Sequence, residues 1–152
     1  MYQKIQGNNP DGTPNPANEN LLDVPALIDY MLVILYTGNF DAPISATGIS
    51  INNWYGLRDR SGQHGGFRFV LHDSENTLYN LNDDRTGPFP AGDPAQGSSF
   101  AQSNPQYLWQ QLSANEEFRV LVGDHIQRHF FNTGVLTFNA ISNRYQARRR
   151  RD

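Results

Sequence analysis

The stretch NFDAPISATGISINNWYGLRDRSGQHGGFRFVLHDSENT, residues 39–77, sets an aspartate, a pair of asparagines, two aromatic-rich segments and a second acidic cluster in order along the chain. Trp54, Tyr55 and Leu57 read as one strand. Phe67, Phe69 and Leu71 alternate with Arg68, Val70 and His72 and read as a second. The glycine-rich turn SGQHGG, residues 61–66, lies between them, so the pair predicts a β-hairpin with Asp73 and Glu75 just past its end.

Upstream of this stretch the pattern is helical. Val24, Leu27, Ile28, Met31, Leu32, Leu35 and Tyr36 recur with the 3.6-residue period of a helix that buries one wide face. Asp23 is placed to cap that helix, with Pro25 in its first turn and Gly38 as the left-handed residue that ends it. Residues 1–20 are rich in Asn, Pro and Gly and read as polar coil. Downstream, Asn80–Ser103 carries three prolines and reads as a long loop, of the kind that is functional or mobile in compact domains. Three helices follow. Ser103 is expected to cap the first, which has Pro105 near its start. Ser113 and Glu116 form a capping-box pattern for the second, which Gly134 ends, and Thr137 caps the third. The order helix, hairpin, loop, three helices predicts an α+β domain, mostly helical, over residues 21–152. The polar start and a last helix that meets the terminus without a stop signal lead us to expect a piece of a longer protein, cut at both ends.

Composition narrows the classes. Hydrophobic residues make up 38 % and charged residues 18 %, as in globular domains with a real core. A net charge of −3 gives no global field favouring nucleic acid or a membrane surface, and neither is expected as a partner. The basic run Arg148–Arg151 reads as a solvated helix end. With no cysteine, thiolate metal sites are excluded and the redox compartment is unreadable. No apolar run approaches the roughly 20 residues of a membrane helix, and residues 1–12 lack the apolar core of a signal peptide.

The polar candidates each have two readings. Asp41, in a Gly-Asn-x-Asp turn, is either a turn aspartate bonding its own backbone or a catalytic carboxylate. Asn52 and Asn53 are strand-entry residues or neutral oxygen ligands for a hard cation. Asp73 and Glu75 end a strand and either cap a turn or hold metal. His125 and His129 are four apart on one helical face, but Ile126 and Gln127 break any H-E-x-x-H pattern, and half-buried core histidines fit better. His64 lies in the turn. His72, beside Asp73, is placed to face the site. Trp54, Tyr55, Phe67 and Phe69 read most simply as cross-strand core pairs. No Walker A loop, G-x-G-x-x-G or G-x-S-x-G is present. Paired hydrolytic carboxylates, Asp41 with Asp73, are a further possibility that spacing along the chain leaves open.

Taken together, LIDYMLVILYTGNFD, NNWYGLRDR, GGFRFVLHDSENTL and EEFRVLVGDHIQRHFFNTGVLT resemble the CotH kinase family, the atypical protein kinases named for a spore-coat protein. The resemblance runs from about Gln6 to the end. In that family a G-N-x-D phrase ends the first helix, H-N-W/Y-Y follows, and a strand ends in W-D-x-[DE]. The resemblance implies a kinase-like C-lobe with the hairpin near the active site, ATP with Mg²⁺ or Mn²⁺ as cofactors, and phosphoryl transfer to a protein substrate. By motif, Asp41 stands at the catalytic aspartate, and Asn53 and Asp73 stand at the nucleotide- and metal-binding positions. Glu75 is a weaker metal ligand, and Arg85 a residue within reach of phosphate or acceptor. Three differences accompany these assignments. Asp41 and Asn53 lie twelve positions apart, against five in the kinase D-x-x-x-x-N phrase. Asn52 and His72 replace the family's His and Trp. The single lysine is Lys4, in the polar start, so a nucleotide-covering N-terminal lobe of the same protein is expected as a missing partner and the isolated chain as inactive. The rival reading keeps the scaffold as a non-catalytic interaction or structural domain of a coat or cell-envelope protein, and no compartment is read from the chain itself.

Overall fold

The helix predicted upstream of the hairpin organises the first half of the chain. In the computed structural model, which describes residues 1–45, 50–61, 65–89 and 104–150, it spans Val24–Thr37 (α2). Its start follows from the sequence. The Asp23 carboxylate accepts the Ala26 N–H at 3.0 Å, and Pro25 sits in the first turn, where no N–H is needed. Gly38 closes it in the left-handed region at φ 56°, ψ 40°. Val24, Leu27, Ile28, Tyr30, Met31, Leu32 and Ile34 are buried. The buried arc is wider than predicted on one side, adding Tyr30 and Ile34, and narrower on the other, since Tyr36 is exposed.

The hairpin forms as expected. β1 (Trp54–Leu57) and β2 (Arg68–Leu71) pair antiparallel, Trp54 opposite Leu71 and Leu57 opposite Arg68. Of its aromatic residues, Trp54 and Phe69 form the expected cross-strand pair, while Tyr55 and Phe67 are exposed. One face carries Trp54 and Phe69, packed edge to face at 5.5 Å, with Phe69 reaching the Tyr30 ring of α2 at 6.0 Å. The other carries Tyr55, Leu57 and Val70, all exposed. A strand's side chains alternate, so a two-stranded ribbon laid on one helix buries one face only. His72 follows the outer face and packs its ring on Tyr55 at 4.7 Å.

Residues 1–20 are not coil throughout. Tyr2–Ile5 makes one helical turn (α1) with Tyr2 buried, and the Ile5 carbonyl accepts from both Leu21 and Leu22 N–H. The polar residues order this segment through side-chain turns: Asp11 accepts from Thr13, and Asn15 from the Ala17 N–H. The chain divides into two compact units, residues 1–115 and 116–152.

α3 spans Pro105–Leu112 and is capped by Asn104, whose side chain accepts the Tyr107 N–H; the expected cap Ser103 lies outside the described residues, as does His64. Ser113 closes α3 and donates its hydroxyl to the Trp109 carbonyl. In the second unit, α4 (Glu116–Phe130) ends before a turn in which Asn132, not Gly134, takes the left-handed conformation at φ 53°. Within α4, His125 is buried with its ring 5.9 Å from that of His129. α5 (Phe138–Arg149) is capped by Thr137, as predicted. The helices and the two-stranded sheet make the domain α+β. Among the described residues no helix is long and apolar enough to cross a membrane.

Burial at Tyr30 yields a prediction. Its hydroxyl has no partner among the described residues, and desolvation pushes the phenol well above its ordinary value. The stabilisation this represents is whole below the unfolded value of about 10 and is lost as pH climbs from there toward the raised folded value, by about 1.4 kcal/mol per pH unit. Tyr30→Phe is expected to remove that loss and to stabilise the protein at neutral pH by up to about 1 kcal/mol. Urea midpoints of both proteins between neutral and strongly alkaline pH would check both effects.

Candidate functional site

The site begins where α2 stops. With Gly38 left-handed, the Asn39 N–H turns back to the Ile34 carbonyl at 3.1 Å, and Asn39 itself is buried. Its Oδ1 accepts the Asp41 N–H at 3.0 Å. The turn reading of Asn39 is therefore correct, and the turn leaves the Asp41 carboxylate half-buried at the end of α2.

The twelve-position gap from Asp41 to Asn53 resolves into a small stem. Ile44 and Ile51 form an antiparallel bridge, the Ser45 N–H donates to the Ser50 carbonyl at 2.8 Å, and the Asn52 N–H donates to the Pro43 carbonyl at 2.9 Å. The stem returns the chain to its starting point. Asn52 Nδ2 donates to Asp41 Oδ1 at 2.8 Å, and Asn53 Nδ2 donates to Asp41 Oδ2 at 2.9 Å. One carboxylate is thus held by two neighbouring amides across the inserted segment. Asn53 adopts φ 48°, a conformation that costs a residue with a side chain about 1–2 kcal/mol and that Asn tolerates better than most. With its Nδ2 on Asp41, its Oδ1 is the atom left to meet a cation.

Asp73 enters from the other strand. β2 ends at Leu71 opposite Trp54, so continuing the register sets Asp73 across from Asn52, at the same end of the hairpin as Asp41. It is exposed and also left-handed, at φ 49°. The chain then runs along the end of α2: the Phe40 N–H donates to the Asn76 carbonyl, and the Leu78 N–H to the Thr37 carbonyl, both at 2.8 Å. Glu75 is exposed, with its carboxylate accepting from Asn76 Nδ2 at 3.0 Å.

The structure therefore joins Asp41 to Asn53 directly and sets Asp73 at the same hairpin end without a hydrogen bond to either among the described residues. The carboxylates of Asp41, Asp73 and Glu75 do not gather within 4.8 Å of one another as a group of three. An all-oxygen set of this kind, two carboxylates and an amide, fits a hard divalent cation that draws its other ligands from phosphate and water, and not a cation needing a closed protein cage. Two contributors were not legible beforehand: Asn52 as a second donor to Asp41, and Arg85 as a buried residue. The Arg85 guanidinium donates from Nη2 to the Ile44 carbonyl at 2.7 Å. Burial lowers its pKa, while the negative charges of Asp83 and Asp41 pull the other way.

The family model described as "CotH kinase protein" matches residues 1–149. No curated protein and no solved structure matches the chain.

Proposed function

The chain belongs to the CotH kinase protein family, and from that premise we propose that the Asp41–Asn53 site serves transfer of the ATP γ-phosphoryl group to a protein hydroxyl. The observation that carries this reading is the pair of hydrogen bonds, donated by the Asn52 and Asn53 side-chain amides, that holds both Asp41 oxygens at the end of the hairpin from which Asp73 emerges. Asp41 keeps lone pairs free on both oxygens. It would accept the acceptor's O–H, aim the oxygen at the γ-phosphorus and take the proton as the new P–O bond forms and the bond to ADP breaks. Asp73 and the Oδ1 of Asn53 would hold Mg²⁺, with Glu75 in an outer position; when bound, the ion neutralises charge on the phosphates. Asn52 would keep the Asp41 carboxylate from rotating.

The test joins binding to transfer in the full-length protein. Mg²⁺–ATP at a hundred times its dissociation constant is expected to stabilise the fold by about 2.7 kcal/mol, and Asp73→Ala to abolish both that shift and the labelling of a protein acceptor from γ-labelled ATP. Labelling that is indifferent to Asp73→Ala would discard the reading.

One observation favours a second reading, a non-catalytic interaction domain. The outer hairpin face exposes Tyr55, Leu57 and Val70 together. A full-length protein with no Mg²⁺–ATP shift would favour that alternative.

A further inference from the structure

Arg85 is a charged residue that the fold takes out of water. Its side chain is 6 % exposed, although it leaves a stretch of chain that is otherwise largely open to solvent. The local geometry explains why it turns inward. Asp84 accepts both the N–H and the hydroxyl of Thr86, at 2.9 and 2.6 Å, bending the chain just past Arg85. Phe89 is then tied to α3 by a paired exchange with the Gln110 amide, each bond 2.8 Å, and its ring lies 5.7 Å from the guanidinium. Arg85 is held from behind and reaches forward to the Ile44 carbonyl.

That acceptor gives the contact its meaning. Ile44 is fully buried and forms half of the bridge that closes the stem between Asp41 and Asn53. A buried guanidinium is costly, and an apolar side chain of similar volume would often hold a backbone segment at least as well. What an apolar side chain lacks is a donor for the Ile44 carbonyl and a positive charge in the field of Asp83 and Asp41.

We infer that Arg85 is a positioning residue of this site: through Ile44 it fixes the stem that delivers Asn52 and Asn53 to Asp41, and its charge backs the Asp41 carboxylate. Its Nε, buried and without a partner among the described residues, is not committed elsewhere in that set. The inference rests on the reading of Asp41 and Asn53 as the working pair, but it concerns their geometry and not the reaction they perform.

The experiment is therefore spectroscopic. In the ¹⁵N-labelled full-length protein without nucleotide, hydrogen exchange of the Asn53 side-chain amide is followed in wild type, Arg85→Met, Arg85→Lys and Asp83→Asn. Loss of the positioning contact in Arg85→Met is expected to speed Asn53 Nδ2 exchange about tenfold, the equivalent of one hydrogen bond, with the α2 backbone still protected. Arg85→Lys, which keeps the charge but not the planar fork, is expected to fall between the two. Asp83→Asn is expected to leave the exchange at the wild-type rate. A wild-type Asn53 rate in a folded Arg85→Met protein overturns the inference. If only Arg85→Lys folds, a wild-type rate there overturns it equally. Altered exchange in a protein that never transfers phosphate would sustain the positioning role and sink the kinase reading alone.

Discussion

Asp41→Asn is expected to reduce phosphoryl transfer by a factor of about 10²–10⁴, the range that removal of a positioned proton acceptor spans. The substitution is close to isosteric, so the expected loss is chemical and not steric. In the wild type both carboxylate oxygens accept from amides, Oδ1 from Asn52 and Oδ2 from Asn53. An asparagine offers one oxygen and one NH₂, and its NH₂ would face one of those donors. One of the two bonds must break, at a cost of about 1 kcal/mol in stability. Asn39 would still hold the backbone through its bond to the N–H of residue 41. The measurement pairs single-turnover transfer with urea unfolding. Transfer at the wild-type rate in a folded Asp41→Asn protein would remove Asp41 from the chemistry.

The largest expected loss of stability comes from Gly66→Ala. A Cβ at Gly66 would stand 2.1 Å from the Leu22 nitrogen, 2.3 Å from the Leu21 carbonyl carbon and 2.6 Å from the Leu22 Cα. All three are backbone atoms, so no flexible side chain can yield. They belong to a crossing that ties the hairpin to the start of α2. The Phe67 N–H donates to the Leu21 carbonyl and the Asp23 N–H to the Phe67 carbonyl, both at 3.0 Å, while the Asp23 carboxylate both caps α2 and pairs with Arg68 at 2.6 Å. Forcing the strands apart would put at least two backbone bonds and a cap at risk, so a loss of about 4 kcal/mol or more is expected, a large part of a typical domain's 5–15 kcal/mol. Gly65→Ala is the control. Gly65 has φ 74° but, among the described residues, only Asn20 Nδ2 near, at 3.5 Å, so about 1 kcal/mol is expected there. Denaturant unfolding of both variants checks the contrast; a Gly66→Ala loss no larger than that of Gly65→Ala would contradict the crossing.

How much of this was readable from residue order depends on the range of the forces involved. α2 was legible because its determinants are local: Asp23, Pro25, the apolar period and Gly38 lie in one short run. The strands were legible for the same reason, through alternation. Which hairpin face would be buried was not, because aromatic and aliphatic residues occupy both, and only the packing of Phe69 on Tyr30 chooses between them. Gly65 and Gly66 are indistinguishable as letters and differ entirely in what lies across from them. Arg85 gave no sign beyond being a cation in a loop rich in proline and glycine; its burial follows from the Asp84–Thr86 bend and the Phe89–Gln110 tie, which no periodicity encodes. The Asp41–Asn53 meeting was suggested by phrase similarity and made doubtful by spacing. The clue that resolves the spacing is the pair Ile44 and Ile51, two of the three isoleucines in an otherwise small and polar segment, which meet as a bridge.

That pair of isoleucines has a consequence for how such proteins are to be found. Because the Ile44–Ile51 bridge closes the segment before the residues beyond Ser45 and Ser50 are reached, the number of residues past it hardly bears on where Asn53 arrives, and doubling their number would cost only about 0.6 kcal/mol in closure entropy. A search pattern with a fixed gap between aspartate and asparagine will pass over any chain built this way, whereas one that permits a variable gap flanked by two β-branched residues would retrieve it.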